Sequence, residues 1–387
     1  MQEVIELFRE RDTVDELGIG SVRDAFSNLL FPGTSVLQSR ARYLLFVPWI
    51  YLELERQRIS SDRIAARARA NEIRLIDALI AGGEGDGSGV IGVAARERLK
   101  QLPSYVYWNG LEILGIRLYH GSSDRYHRSL DDYYRLVREV PRGEGDEPTD
   151  GVRPNWHVGL PPAPEGLLDA TSFDLTAEEA AYLRERIHAS APGSMLDLLV
   201  SRARPARHVQ FAWRHPDVMR LPKPLATSLE FAHVFSDAMF GASLLYSLML
   251  AEARSFNDRA ASFRGQLEEW SEQFSVPASW SWDEFWAVAL LSNPRIPLLT
   301  RRFVEQWFEV TSAGTGIADD SKPRALISDR ERMTKGSQAR LHNRRALELW
   351  SGTLGALRLT FRWQVVERIV NDILRGIATE SRGNARA

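Results

Sequence analysis

Apolar residues along this chain recur mostly at three- and four-residue intervals, the spacing of one helical face, and seldom alternate as in a half-buried strand. Residues 34–56, TSVLQSRARYLLFVPWIYLELER, open on Thr34 or Ser35 as a helix cap and then turn strongly apolar. Pro48 lacks an amide donor and clashes with the preceding turn, so it is expected to kink or end this helix. Residues 60–81 read as an amphipathic helix, apolar at Ile64, Ile73, Ile76, Leu79 and Ile80 and polar at Arg63, Arg67, Arg69 and Arg74. The glycine-rich GGEGDGSG at 82–89 is a loop.

From Val90 to Tyr119 the pattern is mixed. A charged helix is expected over 94–102, and YVYWNGLEILGIRLY then fits either a hairpin turning at Asn109-Gly110 or another helix. A helix followed by such a hairpin would be a winged-helix module. Residues 141–170 hold PRGEGDEPTDG and LPPAPEG, the composition of a linker or long surface loop. Thr176 and Glu179 then form a capping box ahead of AAYLRERIHAS. Further helices are expected at 194–203, 225–253, 256–274, 282–291, 294–312, 338–352 and 355–378, with a frayed end in TESRGNARA. The fold class is therefore mainly α, a multi-helix protein with a small β element near 103–120. Its expected organisation is a helical region at 1–140, an acidic Pro/Gly-rich connector at 141–170, and a larger helical region at 171–387 that carries basic segments.

Composition narrows the class. The 387 residues are 44% hydrophobic and 26% charged, which supports a folded core rather than disorder. Cysteine is absent, so disulfides, thiolate metal sites and Cys nucleophiles are excluded together. A reducing, cytoplasmic home is the simplest expectation. The opening MQEVIELFRERDTVDEL carries acids throughout and does not read as a signal peptide. The longest apolar stretch, Leu229–Ala251, is interrupted by Glu230, His233 and Asp237, which argues for a buried helix and against a membrane partner.

Charge adds the sharpest feature. Residues 322–345, KPRALISDRERMTKGSQARLHNRR, hold eight Lys/Arg against two acids in a chain whose net charge is −2. Such local excess suits a polyanion or an acidic partner. Lys335, Arg340, Arg344 and Arg345, followed by Arg358 and Arg362, are the residues expected to contact phosphate, with Gly336 and Ser337 admitting close backbone approach. The plainer alternative is a charged loop and helix in which Glu331, Glu348 and Glu367 absorb several of these cations. A second basic stretch, Arg202–Lys223, interleaves aromatics with cations. There Arg207 and Arg214 suit phosphate and Trp213 suits base stacking, unless the aromatics pack inward. Arg40 and Arg42, beside Thr34, Ser35 and Gln38, form a third candidate anion patch, with simple capping and ion pairing as its alternative.

Signals for chemistry are thinner. Glu185/His188 and Glu230/His233 place a carboxylate and an imidazole one helical turn apart, but no matching inward glutamates accompany them, and no metal or cofactor is expected. Glu230, His233 and Asp237 share a helix face, where an internal hydrogen-bonded cluster is the leading reading. No nucleophile or oxyanion donor stands with them, so a non-enzymatic role is favoured. The stretch LGIGSVRDAFSNLLFPGTSVLQSRARYLLFVPWIY (Leu17–Tyr51) resembles the opening of an uncharacterised bacterial domain-of-unknown-function family. FDLTAEEAAYLRERIHASAPGSMLDLL (Phe173–Leu199) and RALELWSGTLGALRLTFRWQVVERIVNDI (Arg345–Ile373) are similar to its later blocks. The resemblance implies a locus shared with helicases and phospholipase D-like proteins in phage defence, and it brings no catalytic residues. The combined expectation is a non-catalytic accessory subunit that contacts nucleic acid, DNA foremost. The alternative is a scaffold or regulator that binds an acidic protein surface.

Overall fold

The computed structural model describes residues 16–85, 87–139, 152–203, 205, 207–312, 316–350, 352 and 357–383. Fourteen α-helices form among these residues. In chain order they are α1 (Gly20–Leu30), α2 (Tyr43–Arg56), α3 (Ile64–Ala81), α4 (Pro103–Ile113), α5 (Ser123–Glu139), α6 (Ala177–Ser190) and α7 (Met195–Val200). There follow α8 (Lys223–Ala253), α9 (Asn257–Gln273), α10 (Trp282–Ser292), α11 (Leu298–Thr311), α12 (Ser321–Lys335), α13 (Arg344–Glu348) and α14 (Trp363–Gly383). The protein is mainly α.

The helices fall into two compact units. The first comprises residues 1–30 with 211–361, and the second residues 31–210 with 362–387. Both flanks of the 141–170 segment thus belong to the second unit. Residues 140–151 lie outside the described residues. The remainder of that segment is largely exposed but anchored at points: Asn155 and Trp156 are buried, and Trp49 Nε1 donates to Pro161 O at 2.7 Å.

The first unit is organised around α8, whose apolar residues run nearly all round the helix. By length and composition alone α8 is apolar enough to cross a membrane, yet 78% of its most apolar window is buried in the protein, as befits a core helix. α9 lies against it so closely that a Cβ on Gly241 would sit 2.3 Å from the Trp270 ring. Only glycine permits that approach. Trp270 and Trp307 donate their indole N–H groups to Asp237 O and Ala238 O at 2.9 and 2.8 Å, so both rings are buried with their polar atoms satisfied. Ser281 caps α10, Asp320 caps α12 and Asn343 caps α13.

In the second unit α14 packs along α6, and α2 packs against both α3 and α4. The capping box expected at Thr176 and Glu179 is present at the start of α6. Other expectations are corrected. Thr34 and Ser35 do not open α2: Thr34 Oγ1 donates to Phe31 O at 2.7 Å in a turn, and the helix begins at Tyr43. Pro48 lies inside α2 without ending it. The lost backbone bond is outweighed by packing, since most residues of this helix are buried. The hairpin at Asn109-Gly110 does not form. Both residues lie within α4, where a Cβ on Gly110 would stand 2.3 Å from Gly33 O, so the glycine serves helix packing and not a strand turn. The local β structure is an isolated antiparallel bridge, Arg117 with Trp156, and no winged-helix module results among the described residues. The charged helix expected at 94–102 is a single 3-10 turn, Arg96–Arg98. Conversely, the basic run, where no helix was expected between 312 and 338, folds into α12, and the helix expected at 338–352 shrinks to α13. α14 starts at Trp363 and continues to Gly383, into the tail expected to fray.

Candidate nucleic-acid interface

The basic segment folds around two of its own charged residues. Positions Pro323, Ile327, Arg330 and Glu331 form the buried face of α12. Arg330 donates to Leu17 O at 2.7 Å, Gly18 O at 2.9 Å and Thr300 Oγ1 at 2.9 Å, tying the chain before α1 to α11 and α12. Burial pulls its guanidinium below its ordinary value. Glu331 accepts from Tyr246 Oη at 2.6 Å and from the amides of Arg340 and Leu341 at 2.6 and 3.0 Å. That carboxylate therefore shapes the turn after α12 instead of absorbing a neighbouring cation. Sequence marked Glu331 only as a sink for cations and gave Arg330 no separate role; charged side chains at i+3 and i+4 from apolar Ile327 on a helix are the available signal for their buried roles.

The predicted phosphate contacts divide sharply. Lys335 and Arg340 converge on buried Glu16, with Nζ at 3.5 Å and Nη1 at 2.8 Å. Burial opposes the charge of Arg340, but Glu16 overrides it and holds the guanidinium above its ordinary value. Arg358 places Nε and Nη2 2.9 and 2.7 Å from Asp237 Oδ1 and stacks 4.2 Å over Phe240. Arg362 donates to Thr34 O at 2.7 Å. Arg344 stands 92% exposed, with an i,i+4 pair to Glu348 at 3.0 Å, and Arg345 is exposed with no side-chain ion pair among the described residues. Of the acids expected to absorb cations, Glu348 does so, whereas Glu367 binds His208 and accepts from Val209 N.

Arg40 and Arg42 are internal ties of the second unit, as the ion-pairing alternative for this patch has it. Arg40 forks onto Asp372 at 2.8 and 3.0 Å, donates to Ser88 O and lies 4.5 Å over Phe173. Burial opposes its charge, but Asp372 more than compensates and raises its pKa. Arg42 is buried and donates to Glu179 Oε1 and Ser172 O, each at 2.8 Å. Trp213 follows the inward-packing alternative. Its ring already stacks on Phe211 and on His233, each with centroids 4.7 Å apart, so its aromatic surface is engaged within the first unit. Arg207, in the second unit, and Arg214, in the first, are exposed. The structure leaves Arg344 and Arg345 in solvent on α13 and spends Arg40, Arg42, Arg340, Arg358 and Arg362 on internal bonds.

The Glu230/His233/Asp237 face is open rather than buried. Glu230 and His233 are exposed, and Asp237 is occupied by Arg358. Packing pushes the His233 imidazole down, against the pull of Asp237. At the other pair, His188 Nδ1 lies 3.0 Å from Asp197 Oδ1 and not on Glu185. Among the described residues no three His, Asp or Glu side chains converge as a metal site would require.

A family model described as a family of unknown function, DUF6361, matches residues 1–376. The chain belongs to the DUF6361 family. No curated protein and no solved structure matches it. The family spans both compact units, including the three stretches whose resemblance to an uncharacterised family was noted in sequence.

Proposed function

We propose that this DUF6361 protein is a non-catalytic subunit that contacts nucleic acid, DNA foremost, and works beside a helicase and phospholipase D-like proteins in bacterial phage defence. The observation that carries the reading is the state of Arg344 and Arg345. Both project from a short, capped helix into solvent, and among the described residues only an exposed pair to Glu348 opposes them. Such surface pairs contribute little and yield readily to a phosphate. Cations held in this way are available to a polyanion without loss of internal structure. The expected location is the bacterial cytoplasm. The locus partners rest on the family resemblance alone.

A second reading has one observation in its favour. Leu349, directly after α13, is 83% exposed, so the same surface offers an apolar anchor beside its arginines. That combination suits an acidic protein partner as well. Salt separates the two readings, because phosphate contacts release counterions and weaken steeply with salt. Fluorescence anisotropy of short duplex and single-stranded DNA at two salt concentrations is the test. Affinity at low salt that falls steeply at high salt supports the first reading; no DNA binding at low salt removes it.

A further inference from the structure

The second unit carries a basic face on a helix that sequence alone shows only as the polar side of an amphipathic segment. α3 buries Ile64, Ala68, Glu72, Leu75, Ile76 and Leu79. Its opposite side presents Arg63, Ala66, Arg67 and Ala70 to solvent. Arg63 and Arg67 lie about 6 Å apart along the axis, one turn removed, and the small alanines beside them do not hinder approach. Neither arginine has a side-chain hydrogen bond or ion pair among the described residues.

A second element extends this face. Arg69 donates to Leu99 O at 3.0 Å and to Glu97 O at 2.5 Å, fastening the turn at 97–99 beside α3. Arg98 and Lys100 flank that bracket, and both are exposed without a side-chain partner among the described residues. Across residues 62–69 and 97–100 the count is five cations against the carboxylates of Asp62 and Glu97. Farther along the helix the excess stops, because Arg74 pairs with Asp169 and Arg96 with Asp77. The unneutralised charge is thus confined to the N-terminal half of α3 and the attached turn. The position also carries a cost. The first turn of α3 holds no acid, and cations there oppose the helix dipole.

We propose that Arg63, Arg67, Arg98 and Lys100 form a duplex DNA-binding face that grips the phosphate backbone, with Arg69 as the positioning residue that holds the two elements together. A duplex presents one negative charge per about 1.7 Å of axis, a density that a helix face and an adjoining turn can meet together. The proposal rests on the nucleic-acid reading above and places the main contact on the second unit, on residues other than those singled out in sequence.

The test is anisotropy of the full-length chain with a fluorescent duplex across a salt series. It compares wild type, Arg63→Glu/Arg67→Glu, Arg98→Glu/Lys100→Glu, and Arg344→Glu/Arg345→Glu. Each α3-face variant is expected to weaken binding at least tenfold. Each should also lower the slope of log affinity against log salt by about 2, one per lost phosphate contact. Arg63→Glu/Arg67→Glu should melt no earlier than wild type, because it relieves the dipole conflict. The turn variant leaves α3 itself unaltered and guards against a folding defect. Wild-type affinity and slope in both α3-face variants, with duplex still bound by wild type, would overturn this inference and leave the broader reading standing. Absence of duplex binding by wild type at low salt would remove both.

Discussion

Two arginine pairs in the second unit look alike in sequence and end in opposite places. Arg40 and Arg42 precede α2, while Arg63 and Arg67 open α3. The first pair turns inward onto Asp372 and Glu179, carboxylates that lie on α14 and α6. The second pair faces water with no partner among the described residues. Removing a charge from solvent is costly unless a counter-charge and hydrogen bonds await it. Arg40 and Arg42 meet both conditions, so they hold structure. Arg63 and Arg67 meet neither, so they remain free for a ligand.

The comparison breaks first at Arg40. Arg40→Ala strands the buried Asp372 carboxylate and should destabilise the protein by about 3–5 kcal/mol in chemical denaturation. Arg63→Ala should change stability by no more than about 0.5 kcal/mol. A small effect at Arg40 would show that the tie is dispensable and the contrast empty.

The two faces of α3 offer the next contrast. Glu72, buried opposite the arginines, accepts from Ser104 N and Oγ at 2.7 and 2.8 Å. Burial nonetheless raises its pKa from 4.5 to about 7. Below about pH 4.5 it is protonated in both folded and unfolded chains. Between there and about pH 7 the folded chain keeps a proton that the unfolded chain has lost, so stability falls as pH rises. Relative to Glu72→Gln, wild type should lose up to about 3 kcal/mol across that window and little more above it. Parallel pH slopes in the two proteins would contradict the assignment.

Smaller effects sharpen the same division in the first unit. Trp213→Ala removes stacking on Phe211 and His233 and should cost about 1–2 kcal/mol in denaturation, with the DNA salt slope unchanged. A changed slope at full stability would instead return Trp213 to the interface. Smallest in stability is Arg344→Glu/Arg345→Glu, within about 0.5 kcal/mol of wild type. DNA affinity should still fall measurably, and an unaltered affinity would take α13 out of the interface.

Helical periodicity, the Thr176 capping box and the all-round apolar character of α8 were legible in sequence, because each arises from residues within a few positions of one another. Local signals misled where packing overruled them. Asn109-Gly110 fits a hairpin or a helix, and the close approach of Gly110 to Gly33 goes with the helix; Pro48, expected to kink or end its helix, does not end it because burial outweighs the lost bond. The cation excess was equally plain, but its distribution between structure and surface was not. Arg40 finds Asp372, Arg42 finds Glu179, and Arg330 finds Leu17 and Gly18, all partners far along the chain.

Sequence by itself therefore determined a mainly α protein of the DUF6361 family with a local surplus of positive charge. Only the tertiary structure decided which of those charges are spent. Helix formation is a matter of near neighbours, whereas the fate of an arginine depends on burial and on a carboxylate or carbonyl brought to it from distant sequence by folding.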